Sequence, residues 1–209
     1  MIIQCDFDGT ITTNNISLLL REKFAIGNWR KIESDYLYGR LTVEESNKRQ
    51  YALIKESREK LEALACKHAE VRAGFLELVG YCREAGIRFV IVSSGLDFYI
   101  EAVLHRIGAP ALELHCARTS FTKHGITISY VGPDGGTVRE GFKKKYLVWL
   151  RKRGGRVAYI GDGLSDLEAA GAADTVFATG HLHTLLSTTS VGHHTFSDFH
   201  DILREICRP

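Results

Sequence analysis

Apolar and polar positions along this chain follow two spacings, and the switch between them divides it. The chain opens with Met1-Ile2-Ile3 and Cys5, a short apolar run that ends in acid and predicts a buried strand over 1–5. From 15 to 70 no strand-like alternation occurs. Apolar residues recur at helical spacing instead, with Leu18, Leu19 and Leu20 before Phe24, and Tyr51, Leu53 and Ile54 before Leu61 and Leu64. A helix is predicted over 72–85 (Phe75, Leu76, Leu78, Val79, Cys82), stopped by Gly86. The continuous apolar run over 87–92 then has the character of a strand buried on both faces of a parallel sheet.

Beyond it the alternation becomes regular. Helices are predicted over 98–107, 142–150 and 166–173, with closing helices over 181–187 and 199–207. Strands are predicted over 111–116, 156–160 and 175–178, and residues 120–131 alternate like a hairpin around His124-Gly125. Strands separated by helices predict an α/β fold, a three-layer, Rossmann-like parallel-sheet core. The helical stretch after the first strand is too long for a simple crossover, so it is expected to be an inserted α-helical cap. The core then comprises 1–12 and 75–209, and the cap 13–74. No repeat or low-complexity segment interrupts this pattern.

Composition narrows the function classes. A chain of 209 residues with 44% hydrophobic and 25% charged residues and 3 prolines can bury one well-formed core, or one core with an insertion. A net charge of +2 argues against nucleic acid as a partner. The densest basic run, Lys143-Lys144-Lys145 with Arg151-Lys152-Arg153 and Arg156, is expected to be mostly a solvated helix face. The opening apolar run is too short for a signal peptide, and none approaches the ~18 apolar residues of a membrane span. Five scattered cysteines (Cys5, Cys66, Cys82, Cys116, Cys207) fit a reducing cytoplasm better than a disulfide frame. Cys66-Lys67-His68 and His193-His194 lack the second ligand pair that a zinc site needs.

The candidate chemistry gathers where strands end. Asp6-Phe7-Asp8-Gly9-Thr10 sets two carboxylates at the end of a buried strand, where each raises the other's cost. An acidic turn is the plainer account. A divalent cation neutralising the pair, with one carboxylate acting covalently, is the account that explains both residues. Ser93-Ser94-Gly95 ends the second strand and leads into a helix. That is an ordinary N-cap by itself, but it also offers a hydroxyl and free N–H groups suited to a phosphate oxyanion. Gly161-Asp162-Gly163-Leu164-Ser165-Asp166 ends a later strand with two more carboxylates, and an N-cap role accounts for one of them only. Lys143 precedes the helix that leads into that strand, where its ammonium could reach a transferring phosphoryl group. In open α/β sheets this edge is where ligands bind.

Asp-x-Asp, Ser, Lys and Asp-x-x-x-Asp in this order resemble the haloacid dehalogenase-like phosphohydrolase superfamily, in its branch with a helical cap after the first motif. The resemblance covers essentially the whole chain. It implies a phosphatase in which Asp6 is the nucleophile that becomes an aspartyl-phosphate, and Asp8 is the general acid and then base. It implies that Thr10 helps to hold Asp8, and that Thr10, Ser93, Ser94 and Lys143 surround the phosphate. Mg²⁺ would be the cofactor, held by Asp6, the Asp8 backbone carbonyl and Asp162, with Asp166 supporting its waters or Lys143. Lys144 and Lys145 compete with Lys143. Lys143 is preferred because Tyr146, Leu147 and Leu150 follow it at the spacing of the family's lysine helix.

Within that branch the chain resembles two kinds of enzyme, phosphoserine phosphatases and the phosphatases of 2-hydroxy-3-keto-5-methylthiopentenyl-1-phosphate. The first kind carries a cap Glu where this chain has Asn15, and a cap Arg where ungapped alignment gives Gln50, with Arg49 adjacent. A neutral pair receives a zwitterion poorly. The second kind shares Asp-Phe-Asp-Gly-Thr-Ile-Thr, the Ser93–Phe98 pattern, Asp166-Leu167-x-Ala169-Ala170 and Val176-Phe177-Ala178. It also has an arginine in register with Arg49, although its Cys-rich insert is absent here and Ser94 stands where Gly is usual. The implied partner is a small phosphorylated metabolite, with Asn15, Arg49 and Gln50 as candidate specificity residues. Alternatives of another class are a phospho-accepting signalling domain, which Asp8 and the helical insertion argue against, and a catalytically silent binding relative.

Overall fold

A computed structural model describes residues 1–207. Seven strands form one sheet: β1 (Ile2–Cys5), β2 (Arg88–Leu96), β3 (Glu113–Thr122), β4 (Gly125–Ser129), β5 (Val157–Gly161), β6 (Thr175–Ala178) and β7 (His194–Thr195). Their spatial order is β4-β3-β2-β1-β5-β6-β7, parallel throughout except for the β3–β4 pair. β1 lies at the centre, which is why its four residues can be buried on both faces. Helices α5 (Phe75–Glu84), α6 (Asp97–Arg106), α7 (Phe142–Gly154), α8 (Leu167–Ala170), α9 (Gly180–Leu186) and α10 (Phe199–Ile206) flank it. The fold is the expected three-layer α/β core.

Four elements differ from expectation. β2 continues through Ser93-Ser94-Gly95 to Leu96 instead of ending at Val92. The strand and half-hairpin predicted separately over 111–122 are one strand, whose first half pairs parallel with β2 and whose second half pairs antiparallel with β4. At the junction, Asp97 at the start of α6 accepts hydrogen bonds from the Thr119 N–H (3.2 Å) and hydroxyl (2.5 Å), where the chain is extended. The helix predicted over 166–173 is a 3₁₀ turn (Leu164–Asp166) followed by the short α8, because the Asp166 carboxylate folds back onto the preceding N–H groups. β7 is two exposed residues without alternation and left no trace in the pattern.

Between β1 and α5 come α1 (Ile16–Phe24), α2 (Trp29–Leu37), α3 (Val43–Tyr51) and α4 (Arg58–His68). Each starts on a side chain that accepts a first-turn N–H: Asn15 from Leu18, Asn28 from Lys31, Thr42 from Glu45 and Ser57 from Lys60. The chain leaves and re-enters the core side by side, with Thr13 N–H donating to the Glu70 carbonyl (2.8 Å) and Arg72 N–H to the Ile11 carbonyl (2.8 Å). The insertion is not a detached body, since Leu20, Tyr51, Ile54, Leu61 and Ala65 join the same apolar cluster as the sheet. On α6, Arg106 donates to the Cys66 and Ala69 carbonyls. α7 begins after Gly141, which has no side chain to cap it. Buried Glu44 of α3 does so instead, its Oε1 accepting from the Phe142 N–H at 2.9 Å.

Candidate active site

The sheet register fixes the site. Cys5 lies beside Ile91 of β2 and Ile160 of β5, so the residues that follow on three adjacent strands emerge together: Asp6, Ser93 and Asp162. Chain connections run to opposite sides of β1 here, the switch point at which open α/β sheets form a crevice. Gly9 makes the next turn at φ +76°, and a Cβ there would stand 2.1 Å from Asp162 Oδ2. Only glycine allows both the backbone angle and that approach. Arg72 braces the turn, donating from Nε to the Thr10 carbonyl (2.8 Å) and from Nη2 to the Gly9 carbonyl (2.7 Å).

Charge is unevenly balanced at this edge. Carboxylate oxygens of Asp6, Asp162 and Asp166 lie within 4.8 Å of one another. Among the described residues the buried Lys143 ammonium is the cation that faces them, 2.9 Å from Asp6 Oδ1 but off its hydrogen-bond line, and 2.6 Å from Asp166 Oδ1. Lys144 and Lys145 are exposed, so Lys143 is the lysine brought to the site. Burial alone would depress the Lys143 ammonium, but Asp166 and Asp6 outweigh it and hold it above its ordinary value. Burial pushes the Asp6 carboxyl up to about 7, with Lys143 pulling down and Asp166 pushing up. Burial, then the nearby Asp166 and Asp6, push Asp162 up to about 8.

Asp166 is spent within the protein. Its Oδ1 accepts from Lys143 (2.6 Å) and the Tyr159 hydroxyl (2.5 Å), and its Oδ2 from the Asp162 (3.1 Å) and Gly163 (2.8 Å) N–H groups. It positions the lysine and the loop. Asp6 and Asp162 are left with free oxygens for a cation. Three carboxylates facing one ammonium fit a hard dication with oxygen ligands.

The Asp8 side chain stands apart from that cluster. Its Oδ1 accepts from the Ile16 (2.8 Å) and Ser17 (3.2 Å) N–H groups, and its Oδ2 from the Tyr99 hydroxyl. Burial raises its pKa against the pull of these donors. Gly95 makes the contact possible, because a Cβ there would stand 2.1 Å from the Tyr99 hydroxyl and 2.9 Å from Asp8 Oδ2. Ser93 Oγ accepts from Gly95 N–H (3.0 Å), while the Ser94 hydroxyl is buried without a partner among the described residues. That is an orphan donor beside an acid-rich cavity.

The cavity is about 190 Å³, walled by the strand ends on one side and α1–α3 on the other. Asn15 lines it, as do Ser17, Arg21, Glu33, Ser46 and Asn47. Asn47 Nδ2 donates to the Ser94 carbonyl (2.9 Å) and to the Tyr130 hydroxyl (2.8 Å), and Tyr130 also donates to the Ser94 carbonyl (2.7 Å).

Three expected placements are corrected. Arg49 points outward and pairs with Glu45 at 2.8 Å. Gln50 is buried beneath the wall, donating to Glu33 (2.8 Å) and Ser46 (2.6 Å), and neither residue lines the cavity. On α3 the inward face is Glu44, Asn47 and Tyr51 with Ser46 and Gln50, and Arg49 falls on the opposite side. Thr10 does not line the cavity or hold Asp8; its hydroxyl donates to Asp162 Oδ1 at 3.2 Å.

The residues missed at the sequence level are Tyr99, Arg72, Arg21, Glu33 and Asn47. α3 is polar on nearly every side, with Val43 and Tyr51 its apolar residues, so no apolar stripe told its inward face of Glu44, Asn47 and Tyr51 from its outward one.

Residues 3–171 match the model of the haloacid dehalogenase-like hydrolase family. A bifunctional enzyme MtnB/MtnX of Bacillus licheniformis is 33% identical over 97% of this chain, which spans about half (48%) of that relative. A 2-hydroxy-3-keto-5-methylthiopentenyl-1-phosphate phosphatase of Brevibacillus brevis is 30% identical over 98% of this chain and 94% of its own length. Among solved structures, a substrate-bound phosphoserine phosphatase complex matches with a TM-score of 0.71 at 22% identity, covering 98% of this chain and 97% of that one. At that identity the likeness concerns the fold. With the strand-edge constellation and this match along most of its length, the chain belongs to the haloacid dehalogenase-like hydrolase family.

Proposed function

We propose that this phosphatase is a Mg²⁺-dependent phosphomonoesterase that acts on a small phosphorylated metabolite through an aspartyl-phosphate on Asp6. The observation that carries the reading is the Asp6 carboxylate, buried at a strand end between Lys143 and Asp162 and facing a cavity with the unpartnered Ser94 hydroxyl. Asp6 attacks phosphorus, and Lys143 neutralises charge on both Asp6 and the phosphate. Ser93, Ser94 and nearby N–H groups take the phosphate oxygens. Asp8 hands a proton to the leaving alcohol and then takes one from the hydrolytic water, with Tyr99 and the α1 N–H groups setting its direction. Asp6, Asp162 and the Asp8 backbone carbonyl would hold Mg²⁺, which supplies charge neutralisation to the transferring phosphoryl group. Residues 13–74 act as a cap hinged where 11–13 meets 70–72, and closure excludes bulk water. A cytoplasmic setting agrees with the five free cysteines.

For the substrate, a 2-hydroxy-3-keto-5-methylthiopentenyl-1-phosphate or similar ketone phosphate is favoured by the full-length relatives at about 30% identity. Phosphoserine is the second reading. Phosphate release from p-nitrophenyl phosphate and a few dozen phosphorylated metabolites, with and without Mg²⁺, tests both. Phosphoserine is expected to trail the best ketone phosphate by about 10-fold or more in kcat/KM, the scale on which a site that mismatches polar groups discriminates. Phosphoserine at the top of the ranking overturns the ketone reading. No turnover of p-nitrophenyl phosphate leaves a phospho-accepting or silent domain.

The metal assignment has its own test. Asp6 and Asp162 titrate near 3.8 when unfolded but are pushed up to about 7 and about 8 in the fold. Between those limits the folded chain binds more protons than the unfolded one, so without metal its stability falls as pH rises. A bound cation competes with those protons. Thermal stabilisation by Mg²⁺ over chelator is therefore expected to be larger at pH 8 than at pH 5.5. A melting curve that Mg²⁺ leaves unmoved at both values removes the assignment.

A further inference from the structure

The cavity wall contributed by the insertion holds a charged pair that plays no part in phosphoryl transfer. Arg21, on α1, has a side chain only 7% exposed. Its guanidinium carries five N–H donors. Nη1 donates to Asn47 Oδ1 at 3.2 Å, and Nη2 lies 3.7 Å from Glu33 Oε2, beyond hydrogen-bond reach. Nε is buried and meets no protein acceptor among the described residues. A guanidinium stripped of water and given one hydrogen bond is a costly arrangement unless acceptor oxygens are brought to it. Glu33 lines the same wall, 25% exposed, and shares its Oε2 with Gln50 (2.8 Å). The hydroxyls of Ser17 and Ser46 complete a neutral surround.

We infer that Arg21 and Glu33 are the specificity pair of this site, reading a vicinal hydroxy-carbonyl group in the leaving alcohol. Arg21 donates to the carbonyl oxygen and Glu33 accepts from the hydroxyl. The inference rests on the phosphomonoesterase reading and deepens it. The pair is electrically neutral as a unit, so it matches a neutral donor and acceptor on adjacent carbons. An Arg–Glu pair also complements a carboxylate and an ammonium, so phosphoserine is the competing occupant; against it, Glu33 already gives its Oε2 to Gln50. Asn47 links this reading to the chemistry, since the residue that holds Arg21 also holds the Ser94 carbonyl (2.9 Å) in the proposed phosphate loop.

Three phosphates test it in the full chain with Mg²⁺. Dihydroxyacetone phosphate has the ketone and hydroxyl, propyl phosphate has neither, and p-nitrophenyl phosphate makes no use of the pair. The wild type is expected to favour dihydroxyacetone phosphate over propyl phosphate by about 30-fold or more in kcat/KM, within the range that paired polar groups give. Arg21→Met should erase that preference, read as the ratio of the two alkyl phosphates, beyond any change common to all three esters that Asn47's loss of its partner brings. Arg21→Lys should restore part of it, and Glu33→Gln, at a half-buried position that tolerates change, should reduce it. The inference is overturned if the variants lower all three substrates in proportion, which marks a purely structural pair, or if the wild type shows no preference. It is equally overturned if phosphoserine shows the Arg21 dependence and dihydroxyacetone phosphate does not. A wild type inert toward p-nitrophenyl phosphate fails the underlying reading instead, and both then fall.

Discussion

Asp6→Asn is expected to leave less than about one per cent of wild-type turnover, a barrier increase of about 2.7 kcal/mol or more. The amide matches the carboxylate in shape but is a poor nucleophile and a weaker cation ligand, so both proposed functions of the position go at once. The fold should survive. Asp6 is buried with an oxygen that lacks a hydrogen-bond partner, and burial raises its pKa towards neutrality. Removing the charge relieves Asp162 and Asp166, and Lys143 keeps its 2.6 Å contact to Asp166. In chelator at pH 8 the variant should melt no lower than the wild type, as often holds when a functional charge is sacrificed. Phosphate release and thermal melting measured on one preparation decide the matter. Residual activity above that level counts against covalent catalysis by Asp6.

Asp8→Asn is expected to separate substrates by their leaving groups. General acid–base assistance is typically worth about 10²–10⁴-fold. An alkoxide needs the proton, while a nitrophenolate leaves without it. Burial favours the protonated carboxyl at Asp8, and the Tyr99 and α1 donors fix its plane. Formation of phosphorylated enzyme in a single turnover should therefore slow by about that factor for an alkyl phosphate and far less for p-nitrophenyl phosphate. Hydrolysis of the phosphoenzyme should slow for both, since that step no longer contains the leaving group. Equal losses in the first step would remove Asp8 from the acid role.

The core was legible because its signals are local. A buried parallel strand reads as an unbroken apolar run, and Asp6, Ser93 and Asp162 follow such runs, so chain order placed them, while Lys143 was placed by the helical spacing of Tyr146, Leu147 and Leu150 after it. Register between β1, β2 and β5 then converts order into proximity. The insertion side was not legible in the same way. Its polar face depends on which way a helix turns, and carrying a relative's register onto α3 chose Arg49, which faces outward, and Gln50, which is buried beneath the wall. Arg21 and Glu33 come from two different helices and meet only after those helices pack. Tyr99 reaches Asp8 across 91 positions of chain. Thr10 was placed beside its sequence neighbour Asp8, whereas folding gives it Asp162.

The bond from Glu44 to the Phe142 N–H has a kinetic consequence. The helix that carries Lys143 borrows its cap from the insertion, so if the proposed cap swings aside to admit substrate or free phosphate, that helix is uncapped. Loss of an N-cap is worth about 0.5–2 kcal/mol, a factor of about 2–30 in the open population at equilibrium. Each such opening would loosen the first turn of α7 just as the ammonium loses its cover, and each closing would restore both. Residence time in the open state and the order of the lysine helix become one variable, set by a carboxylate that never meets the substrate.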